Sequence, residues 1–332
     1  MSTTSRSIHA LALALLVAVP LMSDGRYLPT VMISIVLLWG MGMLFDFMLG
    51  YLNIVNFGMA GFLCAGAYAA ALSTSALGVS PWIGVLIGGV AGLLLGVVTG
   101  VLTLRLKGVY VGLTTLFVME FLRFSISSAR DVTRGMSGLT TETFPTLFGI
   151  TFSRGDPLPS YYLLLAIVVA IYLALKLIVG SRIGLLFRAI RDDELGVEVL
   201  GFNIVAYKLL NFAIATGLMG VIGAFYAYYI GILVPTPQEF GIPRTVEILT
   251  VAYIGGRGTL WGSLLGAACL VGIQEVFRDL EEWRLVIYGV FLVFVLIAFP
   301  KGLAGALEML GKRFVGSSGE TQAPSTSAKS AA

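Results

Sequence analysis

Asp46, Glu120 and Glu247 stand inside otherwise apolar segments of this sequence. A carboxylate at membrane depth is costly, so it normally faces a protein interior or a conduit. Each of the three could titrate, which is the chemistry an ion-coupled carrier needs. Arg123 lies one turn after Glu120, and Arg244 one turn before Glu247, so intrahelical ion pairs are the structural alternative. Glu247 is the acid assigned here to a pathway, and the Glu120–Arg123 pair is read as structural. Asn53, Asn56, Thr114 and Thr115 add neutral donors and acceptors, which serve either a conduit or bonds between helices.

Hydrolytic and metal chemistry lack their parts. The only histidine is His9, so a Ser–His or Cys–His pair has no base within the apolar segments. Cys64 and Cys269 stand alone, and HExxH is absent. No catalytic residue and no metal ligand is assigned, and the chain is read as a non-enzyme. A GxxxxGK[ST] phosphate loop is also missing, so ATP would have to be bound by another chain.

The composition explains where such residues must sit. Of 332 residues 58% are hydrophobic and 12% charged, against about 25% charged in a soluble domain. Mean hydropathy is +0.95. Apolar stretches recur near 8–22, 29–48, 54–77, 82–104, 109–128, 160–179, 209–231, 244–254, 260–277 and 284–300. Runs of about 20 apolar residues cross a bilayer as helices. The fold class is therefore all-α, a polytopic transmembrane bundle of about nine or ten spans lying in lipid, with no basic run for nucleic acid.

The stretch 244–254 is too short to cross alone. It reads as half of a broken or re-entrant helix continuing past Gly255-Gly256-Arg257-Gly258. Residues 50–58, with Asn53, Asn56 and Gly58, read as a comparable break. Gly84, Gly88, Gly92, Gly96 and Gly100 recur every fourth residue and present a bare helix face for close packing.

Residues 1–27 are read as an uncleaved first helix, 28–306 as the membrane domain and 307–332 as a disordered cytoplasmic tail. Arg105 and Lys107 in one loop, and Arg182, Arg188, Arg191 and Lys208 in the loop 181–208, put both loops and both termini on the cytoplasmic side. Within that second loop, Leu186 to Leu200 reads as one short helix ending near Gly201. Arg188, Arg191, Glu194 and Glu198 share one face of it. Such a helix lies on lipid headgroups or seats in a soluble partner.

The ordered motifs Arg105-Leu-Lys-Gly-Val-Tyr-Val-Gly-Leu-Thr-Thr-Leu116, Thr133-x-Gly135-x-x-Gly138-Leu139, Arg188-Ala-Ile-Arg-Asp-Asp193, Gly255-Gly256-x-Gly258-Thr-Leu-x-Gly262 and Pro300-x-Gly302-Leu303 resemble the LivM-like permeases of branched-chain amino acid ABC importers. The resemblance covers roughly 28–306. It implies half of a path for branched-chain amino acids or a related small solute, in a bacterial inner membrane. It also implies a second related permease, two ATP-binding subunits and an extracytoplasmic solute-binding protein as partners, with no cofactor in this chain. Arg188, Ala189, Ile190, Arg191, Asp192, Asp193, Glu194 and Gly201 would then form the ATPase-coupling helix. Asn53, Asn56, Gly58, Thr114, Thr115, Glu247, Gly255, Gly256 and Gly258 would border the path or its broken helices. An ion-coupled carrier using Asp46, Glu120 or Glu247 is the alternative.

Overall fold

The computed structural model describes residues 14–22, 25–106, 108–146 and 149–277, with 289, 302, 303 and 305. The apolar stretch 284–300 apart from residue 289, the tail 307–332, Lys107 and residues 1–13 with the start of the first span lie outside the described residues. Residues 14–18 are helical and run into a 3-10 turn, Val19–Met22. Tyr161 and Tyr162 fasten this segment by donating their hydroxyls to Leu16 O (2.6 Å) and Val17 O (3.1 Å).

Among the described residues, six helices are long and apolar enough to cross a membrane. They are α1 (Tyr27–Leu52), α2 (Met59–Leu77), α3 (Pro81–Thr103), α4 (Val109–Ser128), α6 (Leu158–Gly180) and α9 (Ile204–Ile230). Shorter helices complete the set: α5 (Arg130–Thr133), α7 (Arg182–Asp192), α8 (Glu194–Val199), α10 (Pro237–Phe240), α11 (Ile242–Gly255) and α12 (Gly262–Val276). The only sheet among the described residues is one antiparallel pair, β1 (Leu139–Thr140) with β2 (Ile232–Leu233), in register Leu139 to Leu233. The chain is an all-α polytopic bundle.

α1 is apolar on every side and is buried without a break from Val36 to Leu52, so it is the axis of the bundle. α4 is the opposite case. Tyr110, Phe117, Phe121 and Phe124 face outward from it, as lipid requires of an all-helical span.

The glycine stripe on α3 does what its spacing predicts. A Cβ at Gly88 would lie 2.7 Å from Gly66 O on α2, and one at Gly92 would lie 3.0 Å from Gly220 Cα on α9. Bare backbone therefore lets α2, α3 and α9 touch along their lengths, where dispersion between closely packed helices replaces a hydrophobic driving force.

Three expectations about elements are corrected. The break after α1 extends to Gly58, so the second span begins at Met59 rather than residue 54. The helix expected over 186–200 is two helices, parted at Asp193, whose extended backbone (φ −150°) stops α7. Its carboxylate then caps α8, accepting Gly196 N–H at 3.0 Å, because a free helix start needs an acceptor.

The third correction concerns α11. It does not continue past Gly255–Gly258 as the second half of one helix, because the chain reverses there. A Cβ at Gly255 would lie 2.6 Å from Ser263 N, one at Gly266 would lie 3.0 Å from Gly255 N, and Gln274 donates to Glu247 Oε1 at 3.3 Å. α11 and α12 are thus the two legs of an antiparallel hairpin laid against α1. At 14 residues, about 21 Å, α11 is shorter than a bilayer core of about 30 Å.

Candidate functional site

The carboxyl end of α1 gathers three parts of the chain that are far apart in sequence. α1 stops because Asn53 takes a left-handed conformation (φ 53°), and its last turn leaves carbonyls without helical partners. Arg191 of α7 donates from Nη1 to one of them, Gly50 O, at 2.8 Å. A cation there also meets the negative end of the helix dipole.

One turn earlier on α1, Asp46 is fully buried. Its two carboxylate oxygens accept the backbone N–H groups of Gly258 (2.7 Å) and Leu260 (3.0 Å). Tyr51 adds a bond from its hydroxyl to Gly258 O at 2.9 Å. The loop it holds joins α11 to α12 and is irregular, with positive φ at Gly256 (108°), Gly258 (77°) and Leu260 (51°). Leu260 adopts that conformation at a cost of about 1–2 kcal/mol, which the charge-assisted bond to Asp46 offsets. Gly50 must lack a side chain, since a Cβ there would lie 2.6 Å from Gly258 Cα. Gly302 comes to the same loop, 2.5 Å from Gly256 N by the same measure.

The break between α1 and α2 is closed from α4. Thr115 accepts Phe57 N–H at 3.0 Å and donates to Gly112 O at 2.8 Å. Asn56 is buried and turns back on its own segment, accepting Gly58 N–H at 2.8 Å. A Cβ at Gly58 would lie 2.6 Å from Thr115 O.

Sequence-selected residues thus divide. Arg191, Asn56, Gly58, Thr115, Gly255, Gly256 and Gly258 are brought to this end of the bundle. Asn53 is exposed beside them. Thr114 bonds only within its own helix, to Tyr110 O at 2.8 Å. Glu247 lies toward the far end of the hairpin, paired with Arg244 at 2.9 Å and bonded to Gln274. Arg244 also holds Glu239 at 3.3 Å, and Tyr226 donates its hydroxyl to Glu239. Arg123 pairs with Glu120 at 2.7 Å and donates to Pro235 O at 3.4 Å. All three acids named for an ion-coupled carrier are therefore engaged.

The expected polar face of the 181–208 loop is divided as well. Arg188 folds back onto Val179 O (3.1 Å) and Gly184 O (3.3 Å), Arg191 reaches Gly50, and Glu194 pairs with Lys208 at 2.7 Å. Phe187 and Ile190 are buried under α7. Exposed on this stretch are Ala189, Arg191, Asp192, Asp193, Glu194, Glu198 and Gly201, Arg191 also pairing with Asp192 at 2.8 Å, with apolar Leu195 (73% exposed), Val199 (87%) and Leu200 (74%). Apolar side chains so exposed in a polar loop mark a contact surface.

At the opposite end, a cavity of about 380 Å³ opens among Arg26, Thr30, Phe144, Arg154, Ser160 and Tyr228. No residue selected from the sequence lines it. The role of Asp46 as a clamp, and those of Tyr51, Glu239 and Gln274, escaped sequence reading because each depends on a partner far along the chain. An acid within an apolar run was the one visible signal, and it marked Asp46 only as costly.

The described residues thus form a multi-pass helical membrane protein with an antiparallel hairpin packed on its axial helix and an exposed loop at one end. Residues 29–298 match the family described as branched-chain amino acid transport system / permease component, and the chain belongs to that family. It is 28% identical over 325 residues to the high-affinity branched-chain amino acid transport system permease protein LivM of Salmonella typhimurium, covering 91% of this chain and 76% of that protein. The Escherichia coli LivM gives the same identity and coverage. The LivH permease of Escherichia coli is 28% identical over a shorter stretch of 132 residues, 39% of this chain and 42% of that one. No solved structure matches.

Proposed function

We propose that this chain is one permease subunit of an ATP-driven importer and forms half of the path for branched-chain amino acids or a related small solute. Its partners are a second related permease, two ATP-binding subunits that hold all the ATP, and an extracytoplasmic solute-binding protein. The setting is a bacterial cytoplasmic membrane, with the 181–208 loop and both termini in the cytoplasm. The family match over 29–298 carries this reading. Arg105 supports the orientation, because it emerges at the same end of the bundle as Arg182 and Arg191, and basic loops stay cytoplasmic.

In this reading the outward surface of Leu195, Val199 and Leu200 seats in the ATPase, and ATP-driven closure of the motor moves α7 and α8. Proteoliposomes test it. Uptake should require ATP, both ATPases and the binding protein together. Uptake by the permeases alone under an ion gradient would overturn it.

A further inference from the structure

We propose that Asp46, with Tyr51 and Arg191, is the joint through which the cytoplasmic loop drives the α11–α12 hairpin, so that these residues set how much solute moves per ATP. The inference rests on the importer reading and adds to it the internal linkage.

The linkage is continuous and short. Arg191 of α7 is bonded to Gly50 O, and Gly50 lies one helical turn beyond Asp46 on a fully buried stretch of α1. Asp46 in turn holds two backbone groups of the α11–α12 loop, and Tyr51 holds a third. Between Asp46 and Gly50 there is only regular helix, so a displacement of Arg191, whose guanidinium Asp192 also holds at 2.8 Å, passes along α1 toward Gly258 and Leu260.

The loop is the compliant part of the hairpin. It has positive φ at Gly256, Gly258 and Leu260, and its backbone could relax in several ways if released. A neutral, well-packed apolar residue at position 46 would be the cheaper way to fill a core, because a buried carboxylate must keep all its partners. The carboxylate is there to hold moving backbone, with the strength of two charge-assisted bonds.

The third strand of the argument is close contact. Gly50 and Gly258 touch backbone to backbone, which is possible only with no side chain at Gly50. A gap at this point would absorb the motion that the bonds transmit. The Gly255–Gly258 turn lies at the same end of the bundle as Arg191, which in the importer reading is the cytoplasmic end of the path, so its movement would gate the path there.

The test uses the complete importer, with both permeases, both ATPases and the binding protein, reconstituted in vesicles. ATP hydrolysis and leucine uptake are measured on the same preparation for wild type, Asp46→Asn, Arg191→Gln and Tyr51→Phe. Asp46→Asn and Arg191→Gln should assemble normally and hydrolyse ATP, yet the ATP used per leucine should rise about five-fold or more, the lower end of measured couplings between sites. Tyr51→Phe should shift the ratio in the same direction by less.

A parallel fall in hydrolysis and uptake, leaving the ratio unchanged, would show these residues to be merely structural and overturn the inference. So would an unchanged ratio with full activity. If Asp46→Asn fails to assemble, the ratio in Tyr51→Phe and Arg191→Gln decides the matter. Failure of the importer reading looks different: the wild-type assembly itself would show no ATP-dependent uptake of leucine or of other small solutes.

Discussion

The carboxylate of Asp46 and the backbone N–H of Gly258 meet at 2.7 Å across 212 positions of the chain. Because Leu260 N–H fills the other oxygen, removal of the carboxylate leaves one buried and one half-buried donor unpaired. Asp46→Leu should therefore destabilise the detergent-solubilised protein by about 2–4 kcal/mol, at about 1–3 kcal/mol for each orphaned group. Thermal unfolding measures it, and Asp46→Asn, which keeps one acceptor, should lose less.

Thr114 and Thr115 are adjacent and chemically alike, yet their substitution should differ. Thr115→Val strips the only acceptor given to Phe57 N–H in the break after α1 and should cost about 1–3 kcal/mol. Thr114→Val removes a bond internal to its own helix turn and should stay within about 0.5 kcal/mol. Equal losses in a thermal-shift comparison would contradict the assignment.

Glycine positions give a second contrast. Gly92→Leu must push into Thr216 and Gly220 backbone and should cost at least about 1–3 kcal/mol, visible as lost folded yield in gel filtration. Gly272 in α12 has nothing within 4 Å of a Cβ, so Gly272→Ala should behave as wild type in the same column.

Docking on the outward face of α8 predicts that Leu195→Asp with Val199→Asp releases the ATPases in co-purification while the unfolding temperature stays put. Arg188→Glu should do the reverse in part. Its side chain is spent on Val179 O and Gly184 O, so its loss weakens the fold around α7 before it touches a docking surface. Retention of the ATPases by the double Asp variant would move the docking site elsewhere.

Removing Arg244 should be worse than removing either of its partners. Arg244→Met leaves half-buried Glu239 and Glu247 both without their cation, so its unfolding temperature should fall clearly below that of either single Glu→Gln variant. Glu247→Gln keeps the Arg244–Glu239 contact and a hydrogen-bonding partner for Gln274, so its unfolding temperature should fall much less.

What the sequence determined by itself is the part of the fold governed by local composition. Long apolar runs have one stable form in lipid, so the helices at 27–52, 81–103, 109–128, 158–180 and 204–230 were legible to within a few residues. The every-fourth glycines of α3 were equally plain, since helical periodicity alone puts them on one face. The spacing of Glu120 to Arg123 and of Arg244 to Glu247 announced their ion pairs for the same reason.

Tertiary structure decided everything that depends on direction and on distant partners. Whether Gly255–Gly258 continues a helix or reverses it turns on backbone angles that glycine permits either way. Packing against α1 and the grip of Asp46 chose reversal. The charged face of 186–200 looked like a single outward stripe on a helical wheel. The stop at Asp193 broke that stripe, and the helix-end carbonyls of Val179 and Gly50 engaged Arg188 and Arg191, so that Leu195 and Val199 join the exposed surface. A carbonyl at a helix end has the same composition as any other, so only the folded chain shows which side chain reaches it.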